Sequence, residues 1–314
     1  MVSVMNKVAD PDGAADLYPS RNAGKPSVIG RADPAVYTDP EDASPGPLTR
    51  RQLLDYENQG FLVLDAFFGP DDVRALQEEL NRLWAGAADS GEETVIREPD
   101  SEVVRSIFAV HEGNAMFRQL ARDRRLIALA EQLLGSRVYI HQSRVNYKSG
   151  FAGKEFYWHS DFETWHVEDG MPRMRAVSFS IALSQNTPAN GPLMLIPGSH
   201  KHYVACPGET PEDHHKMSLR RQEYGVPDRA SLAWLAEQGG GISVSTGAPG
   251  SLTLFECNTM HGSNSNISPN PRSNVFLVYN SVENALTAPF GGMKPRPGYI
   301  ASRDFTALSP LNGP

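Results

Sequence analysis

The fold of this chain is indicated by the stretch AVSFSIAL at residues 176–183, in which small or polar residues alternate with large apolar ones. A period of two is typical of a β-strand, because successive side chains point to opposite faces of a sheet. Further short apolar runs have the length of strands, and they lie at residues 138–142, 145–147, 193–196, 251–256 and 274–279. Many short strands with Gly and Pro turns between them predict a double-stranded β-helix, or jelly roll, of the cupin type.

The first third of the chain is predicted to be largely helical. Thr49 can cap a helix that ends before Gly60, and Pro70 suits the first position of a second helix. The other expected elements are a buried strand at 61–64, a loop at 86–100 and a third helical block at about 114–134. The expected fold class is therefore α+β, with a mainly β core and helices from the N-terminal third packed around it.

The chain is expected to form an N-terminal arm and one domain. Residues 1–47 are rich in Asp, Pro, Ala and Gly, and the prolines exclude a long helix, so we expect a flexible arm there. Residues 48–314 are predicted to form a single domain. A polar insertion at about 204–248 interrupts the strand pattern, and it is either a lid or a surface excursion without a role in chemistry.

Composition limits the partners and the compartment. The formal net charge of −8 and the lack of a Lys/Arg-rich block disfavour a nucleic-acid-binding surface. No apolar run reaches membrane-spanning length, and the N-terminus lacks the apolar region of a signal peptide. The two cysteines, Cys206 and Cys257, fit a reducing cytosol rather than a secreted disulfide framework. We therefore expect a cytoplasmic protein with neither nucleic acid nor membrane as partner.

A metal site is indicated by His159 and Asp161, followed about a hundred residues later by His261. The first two could approach one ion if their segment is extended, because residues two apart in a strand point to the same side. Two imidazoles and one carboxylate on one face of an ion are typical of non-haem Fe(II) oxygenases, in which the opposite face stays open. His166 is a competing ligand, but we expect it to lie on a different local face.

Arg272 follows His261 by eleven positions, at the predicted start of the next strand. Iron oxygenases of this kind use an electron donor, and 2-oxoglutarate chelates iron while its distal carboxylate requires a cation. A guanidinium can bind that carboxylate through two charge-assisted hydrogen bonds. Fe(II), 2-oxoglutarate and O2 are therefore the expected cofactor and cosubstrates, with Arg272 as the carboxylate ligand. The carboxylate of Asp161 favours hydroxylation over halogenation, which uses a small residue at that position.

Beyond the iron motif, the segment FYWHSDFETWHVEDGMP at residues 156–172 resembles the signature of the ectoine hydroxylases, a family within the phytanoyl-CoA dioxygenase-like superfamily. The resemblance runs from about residue 50 to residue 305. Further matching segments are QSRVNYK at 142–148, NGPL at 190–193, PGSH at 197–200 and CNTMHGSN at 257–264. The seventeen-residue signature is much more specific than the iron motif, which the whole superfamily shares.

This resemblance implies hydroxylation of ectoine to 5-hydroxyectoine. It assigns the iron ligands to His159, Asp161 and His261. It also implies that 2-oxoglutarate is bound by Arg272 with help from Gln142, Asn146 and Ser263. The substrate pocket that it implies consists of Arg144, Thr164, Trp165, Ala176, Ser178, Phe255, Asn274 and Phe276.

Two alternative functions stay open from the sequence. The chain could hydroxylate another small amino-acid-like molecule, such as proline. It could also be a non-catalytic metal-binding jelly roll, although Arg272 and the open iron face argue against this. A homodimer is an option that the sequence does not decide.

Overall fold

The protein is described here by a computed structural model, which covers residues 4–5, 16–21, 24–38, 46–99, 101–220 and 223–311. The α-helices within these residues are α1 Arg50–Gln59, α2 Pro70–Ala87, α3 Val110–Gly113, α4 Ala115–Ala121, α5 Arg124–Leu134, α6 Asp161–Thr164, α7 His215–Ser218 and α8 Arg229–Gln238. A π-helical turn, Trp165–Asp169, continues α6 directly. The 3-10 turns are Ser199–Lys201 and Val282–Asn284.

The β-strands of the described residues form three sheets. Their bounds are β1 Val4–Met5, β2 Ser27–Gly30, β3 Phe61–Leu64, β4 Val95–Arg97, β5 Val104–Phe108, β6 Val138–Lys148, β7 Phe156–His159, β8 Ala176–Ala182, β9 Leu193–Leu195, β10 His202–Ala205, β11 Ser243–Ser245, β12 Leu252–Glu256, β13 His261–Ser263 and β14 Arg272–Ser281. The large sheet has seven strands in the order β3-β12-β8-β14-β6-β5-β4, and a second sheet has the order β11-β9-β13-β7. Every neighbouring pair in these two sheets is antiparallel. The sheet-rich core with surrounding helices confirms the predicted α+β jelly-roll class.

The alternation in β8 separates the two faces of the large sheet. Val177, Phe179 and Ile181 are completely buried and belong to an apolar cluster with residues of α1, α2, α4 and α5. The opposite face of the sheet turns toward the four-stranded sheet, where a smaller apolar cluster joins the two sheets; it consists of Leu193, Leu195, Phe255 and Phe276. The helices therefore cover one face of the large sheet, and the space between the two sheets remains for a site.

The helix boundaries follow from their capping residues. The Thr49 side chain accepts the backbone N–H of Gln52, and the Gln52 side chain in turn accepts the backbone N–H of Thr49. Gly60 ends α1 with a positive φ of 82°. The third predicted helical block is divided, because Asn114 and Asp123 each cap a new helix. The predicted loop at 86–100 was wrong in part, since it contains the last two residues of α2 and strand β4.

The N-terminal segment is packed where the structure describes it. Strand β2 pairs antiparallel with β10, and Tyr18 is completely buried. The expectation of a loose arm therefore does not hold for residues 16–21 and 24–38, because these backbone hydrogen bonds and buried rings hold them against the domain. The predicted insertion also contains secondary structure of its own, including α8 and β11. In the described residues, no helix combines the length and the apolar character needed to cross a membrane.

Candidate iron and cosubstrate site

The three predicted metal ligands meet at one point between the sheets. His159 is the last residue of β7, and His261 is the first residue of the neighbouring strand β13, directly opposite it in register. Asp161 is the first residue of α6, so the expectation that it shares an extended strand with His159 was wrong. The Ser160 side chain caps the helix by accepting the N–H of Glu163, and this turn brings the Asp161 carboxylate back toward the histidines.

Distances within the triad suit a single ion. One ligand atom from each residue lies within 4.8 Å of the others. His159 Nε2 is 3.5 Å from Asp161 Oδ1, and His261 Nε2 is 3.8 Å from Asp161 Oδ2. All three side chains are buried. Two imidazoles and one carboxylate are the facial ligand set of non-haem iron oxygenases, so the residues fit the predicted metal.

Backbone carbonyls fix the tautomers of both histidines. His159 Nδ1 lies 2.8 Å from the carbonyl oxygen of Tyr157, and His261 Nδ1 lies 2.9 Å from that of Thr259. A carbonyl only accepts hydrogen bonds, so each Nδ1 must carry the proton. Each Nε2 then presents its lone pair toward Asp161, which is the arrangement that orients imidazole ligands on a metal.

The charges of the triad are also suited to a cation. Burial acts to raise the pKa of Asp161, but His261 and His159 outweigh it and hold the pKa well below its usual range. Burial, followed by the proximity of His159, lowers the pKa of His261 to about 4. At neutral pH the site therefore combines an ionised carboxylate with a neutral His261 imidazole, which are the protonation states that bind metals.

A buried arginine lies in the same cavity as the triad. Arg272 Nε donates to Asn274 Oδ1 at 2.9 Å, and its Nη1 donates to the carbonyl oxygen of Gly191. No described carboxylate forms an ion pair with it, and burial, followed by Arg105 and Arg144, lowers its pKa to about 10. A buried cation without an anionic partner is unfavourable, so this guanidinium is suited to receive a carboxylate from a ligand.

Lys148, which sequence reasoning missed, lies beside this arginine. It is the register partner of Arg272 in the β6–β14 pair, and its Nζ donates to Ser263 Oγ at 2.8 Å and to the carbonyl of Asn264 at 2.7 Å. Burial, followed by Arg272 and Arg105, lowers the pKa of Lys148 to about 6. The period of two in β6 could have identified it, because Gln142, Arg144, Asn146 and Lys148 all line the cavity.

A second guanidinium lies further along β6. Arg144 donates to Gln142 Oε1, and its guanidinium stacks 4.7 Å from the ring centroid of Phe276. Burial lowers its pKa despite the opposing field of Asp161. Arg144 pairs with Phe276 in the register, whereas Lys148 pairs with Arg272. The two cationic positions are therefore about 13 Å apart along the strand, at the usual rise per residue.

Most of the other predicted site residues line this cavity. They are Gln142, Asn146, Thr164, Trp165 and Ser263. The amide of Gln142 is engaged by the protein, because its Nε2 donates to the carbonyl of Ile300 at 2.7 Å. Asn146 Oδ1 is buried and has no hydrogen-bond partner among the described residues, so it remains available to a bound molecule.

The remaining predicted residues lie behind the cavity wall; they are Ala176, Ser178, Phe255 and Asn274. Ser178 Oγ is 3.4 Å from Asp161 Oδ2, and the Phe255 ring lies 4.9 Å from that of His261. Ala176 packs in the apolar cluster that includes Trp165. Asn274 orients Arg272, as described above. His166 is not among the ligands, because its ring nitrogens contact Met171 and Asp16.

The jelly roll, the triad and the unpaired arginine define a class of protein, the mononuclear non-haem iron dioxygenases that use 2-oxoglutarate. The family model described as "Phytanoyl-CoA dioxygenase (PhyH)" matches residues 56–274. The chain belongs to this family.

Comparisons with individual proteins agree. The chain is 55% identical over 300 residues to "Ectoine dioxygenase" of Bordetella parapertussis, with 95% of this chain and 96% of that protein covered. It is similar to the crystal structure of EctD from S. alaskensis with 2-oxoglutarate and 5-hydroxyectoine, with a TM-score of 0.86, 48% identity and coverage of 96% and 99%. The structure of the same protein with bound Fe has a TM-score of 0.85, with the same identity and coverage. The expected family, iron and 2-oxoglutarate are confirmed.

Proposed function

We propose that this chain hydroxylates ectoine to 5-hydroxyectoine, consuming O2 and 2-oxoglutarate and releasing succinate and carbon dioxide. One observation carries this proposal: a single cavity is lined by the His159–Asp161–His261 triad and by two guanidinium groups, those of Arg144 and Arg272, that form no ion pair with a carboxylate of the described residues. The full-length similarity to an ectoine dioxygenase supports the choice of substrate.

Iron would be held by His159, Asp161 and His261, and when bound it supplies the chemistry that couples decarboxylation of 2-oxoglutarate to activation of oxygen. The chain itself binds, orients and shields the reactants. Arg272 would receive the distal carboxylate of 2-oxoglutarate, because its guanidinium is buried and held in place by Asn274. Lys148 and Ser263 lie beside it and would contribute further hydrogen bonds.

Ectoine is a small cyclic zwitterion with a delocalised amidinium and a carboxylate. Arg144 would pair with the carboxylate, since it forms no ion pair with any described residue and its guanidinium lies 4.7 Å from the ring centroid of Phe276. Trp165, which lines the cavity near the triad, would contact the cationic ring through cation–π attraction. Phe255 lies beside His261 and excludes water from behind the metal site.

The function is tested by anaerobic loading of the purified chain with Fe(II), followed by addition of 2-oxoglutarate, oxygen and ectoine. We expect 5-hydroxyectoine and succinate in nearly equal amounts, and no product when 2-oxoglutarate is omitted. Proline supplied in place of ectoine is the matched substrate control. Turnover with proline but not with ectoine would reassign the substrate, and no oxygen uptake with any substrate would favour a non-catalytic metal-binding protein.

Three further predictions remain part of the proposal. Both described cysteines are free and buried, which supports a cytoplasmic location in a reducing compartment. A homodimer is proposed as the quaternary structure, and sedimentation equilibrium of the purified chain would test it. A single domain over residues 48–314 is also proposed, and a cooperative unfolding transition followed by two spectroscopic probes would support it.

A further inference from the structure

A segment near the N-terminus crosses the helix that bears Asp161. We define the N-terminal strap as residues 16–21. Its Asp16 Oδ1 lies 2.8 Å from His166 Nε2, and the ring of Tyr18 meets that of Phe162 edge-on, with centroids 5.2 Å apart. The strap thus contacts successive turns of the helical segment Asp161–Asp169.

The last residue of the strap makes the strongest contacts. Arg21 is 8% exposed, and its Nε and Nη2 donate to the two carboxylate oxygens of Glu163 at 3.1 Å and 2.8 Å. Its Nη1 donates to Glu168 and, at 2.7 Å, to Thr210 Oγ1. A bidentate guanidinium–carboxylate pair fixes geometry as well as charge, so the orientation of Arg21 is closely constrained.

Arg21 also contacts a residue of the cavity wall. Its Nη2 donates to Thr164 Oγ1 at 3.0 Å, and Thr164 lines the cavity beside Trp165. This hydrogen bond occupies the Thr164 oxygen and thereby fixes the side-chain rotamer. One guanidinium outside the cavity therefore holds a wall residue together with the carboxylates on either side of it in the sequence.

The helical segment needs such support. It is only nine residues long, and its second half is a π-helical turn, so it would not be stable in isolation. At its far end Arg296 donates to both oxygens of Asp169 at 2.8 Å and 2.6 Å. Arg21 is hydrogen-bonded to Glu163 and Thr164 nearer the start of the segment, where Thr164 and Trp165 line the cavity.

We infer that Arg21 is a positioning residue for the hydroxylation reaction: through Glu163, Glu168 and Thr164 it holds the segment that places Thr164 and Trp165 against the substrate. This inference rests on the proposed function for its kinetic consequences, but the structural part does not. Removal of Arg21 should leave the binding of 2-oxoglutarate at Arg272 intact, because Arg272 lies on β14. It should weaken the binding of ectoine, and it should uncouple the two half-reactions, so that decarboxylation of 2-oxoglutarate continues without hydroxylation of ectoine.

The test uses Arg21→Ala and Arg21→Lys in the full chain, with Arg31→Ala as the matched control. The side chain of Arg31 is also buried, lies near the N-terminus and pairs with the carboxylate of Glu256 at 3.0 Å. Among the described residues, its guanidinium donates hydrogen bonds to the backbone carbonyls of Asp33, Pro34, Met174 and His200, all outside the helical segment. Arg31→Ala therefore measures how the loss of a buried arginine side chain affects the stability and activity of the protein when the helical segment is not contacted.

Two readouts separate positioning from general stability. In hydrogen–deuterium exchange of the metal-free protein, residues 161–169 should exchange faster in Arg21→Ala but not in Arg31→Ala. In the loaded enzyme, Arg21→Ala should raise the KM for ectoine roughly 10- to 100-fold. It should also release more succinate than 5-hydroxyectoine, while the KM for 2-oxoglutarate stays unchanged. Arg21→Lys keeps the charge but loses the bidentate pair, so intermediate values are expected.

Specific results would overturn the inference. Arg21→Ala could fold, exchange hydrogen for deuterium at residues 161–169 at the native rate and release succinate and 5-hydroxyectoine in the native ratio. In that case the strap does not position the segment. If Arg21→Ala does not fold, native coupling in Arg21→Lys decides against the inference in the same way. If Arg31→Ala released as much excess succinate as Arg21→Ala, the inference would also be rejected, because lost stability would then explain the uncoupling in both variants. Failure of the proposed function is distinct, because the native chain would then lack ectoine-dependent turnover.

Discussion

The two faces of the large sheet are built from the same strands but serve different purposes. On β8, Phe179 points into the apolar cluster under the helices, whereas its neighbour Ser178 points toward Asp161. On β14, Leu277 joins the apolar cluster, whereas Asn274 on the other face holds Arg272. One face therefore contributes burial of apolar area, and the other contributes hydrogen bonds to charged groups.

This contrast predicts that stability and activity respond to different residues of one strand. A change on the helix face should lower the free energy of unfolding and leave ligand binding nearly unchanged. A change on the cavity face should alter binding or turnover, because few apolar contacts are lost there.

The largest effect is expected at the metal ligands. Asp161→Ala removes the only carboxylate of the triad, and the two imidazoles that remain bind Fe(II) weakly. We expect a loss of turnover of at least roughly 10³-fold, together with loss of iron after loading, measured by elemental analysis. Asp213→Ala, at an exposed carboxylate paired with Lys216, is the control and should retain both. Full activity in Asp161→Ala would refute the ligand assignment.

Next in size is a change on the helix face. Phe179 is completely buried against Tyr279, so Phe179→Ala should lower the free energy of unfolding by about 3–5 kcal/mol. The dissociation constant for 2-oxoglutarate should change little. The matched variant is Ser178→Ala, which should cost less than about 1 kcal/mol of stability and should lower turnover instead. Urea unfolding measures the free energy of unfolding, anaerobic calorimetry measures the dissociation constant for 2-oxoglutarate, and product formation measures turnover. Equal effects of both variants on stability and on turnover would remove the contrast between the faces.

A smaller effect is expected at the cosubstrate position. Arg272→Ala should raise the KM for 2-oxoglutarate roughly 10- to 100-fold, since it removes two charge-assisted hydrogen bonds to the distal carboxylate. The KM for ectoine should be almost unaffected. Arg272→Lys restores the charge without the paired geometry and should recover part of the loss. An unchanged KM for 2-oxoglutarate in Arg272→Ala would assign that carboxylate to another cation.

Much of this fold and site could be predicted from the sequence, for identifiable reasons. The alternation in AVSFSIAL reports the two faces of β8 directly, and the spacing of His261 and Arg272 reflects two consecutive strands. The helical placement of Asp161 was missed, although Ser160 and Glu163 have the Ser-x-x-Glu spacing that is typical of a helix N-terminus. Contacts such as Arg21 with Glu163 join residues 142 positions apart, and no local pattern indicates them. Lys148 has the same period as its predicted neighbours, but a lysine in a strand is ordinarily exposed.

The smallest predicted effect is a proton taken up when 2-oxoglutarate binds. Because burial, followed by Arg272 and Arg105, lowers the pKa of Lys148 to about 6, its amine is mostly neutral at pH 7. A dicarboxylate bound beside it favours the charged form and raises that pKa, so binding draws a proton from the buffer. The affinity for 2-oxoglutarate should therefore increase as the pH falls from about 8 to about 6, by less than roughly tenfold, while Arg272 stays charged throughout. Anaerobic calorimetry in two buffers with different ionisation enthalpies measures the uptake, and Lys148→Met should abolish it. Uptake that persists in Lys148→Met would place the titrating group elsewhere on the cavity face.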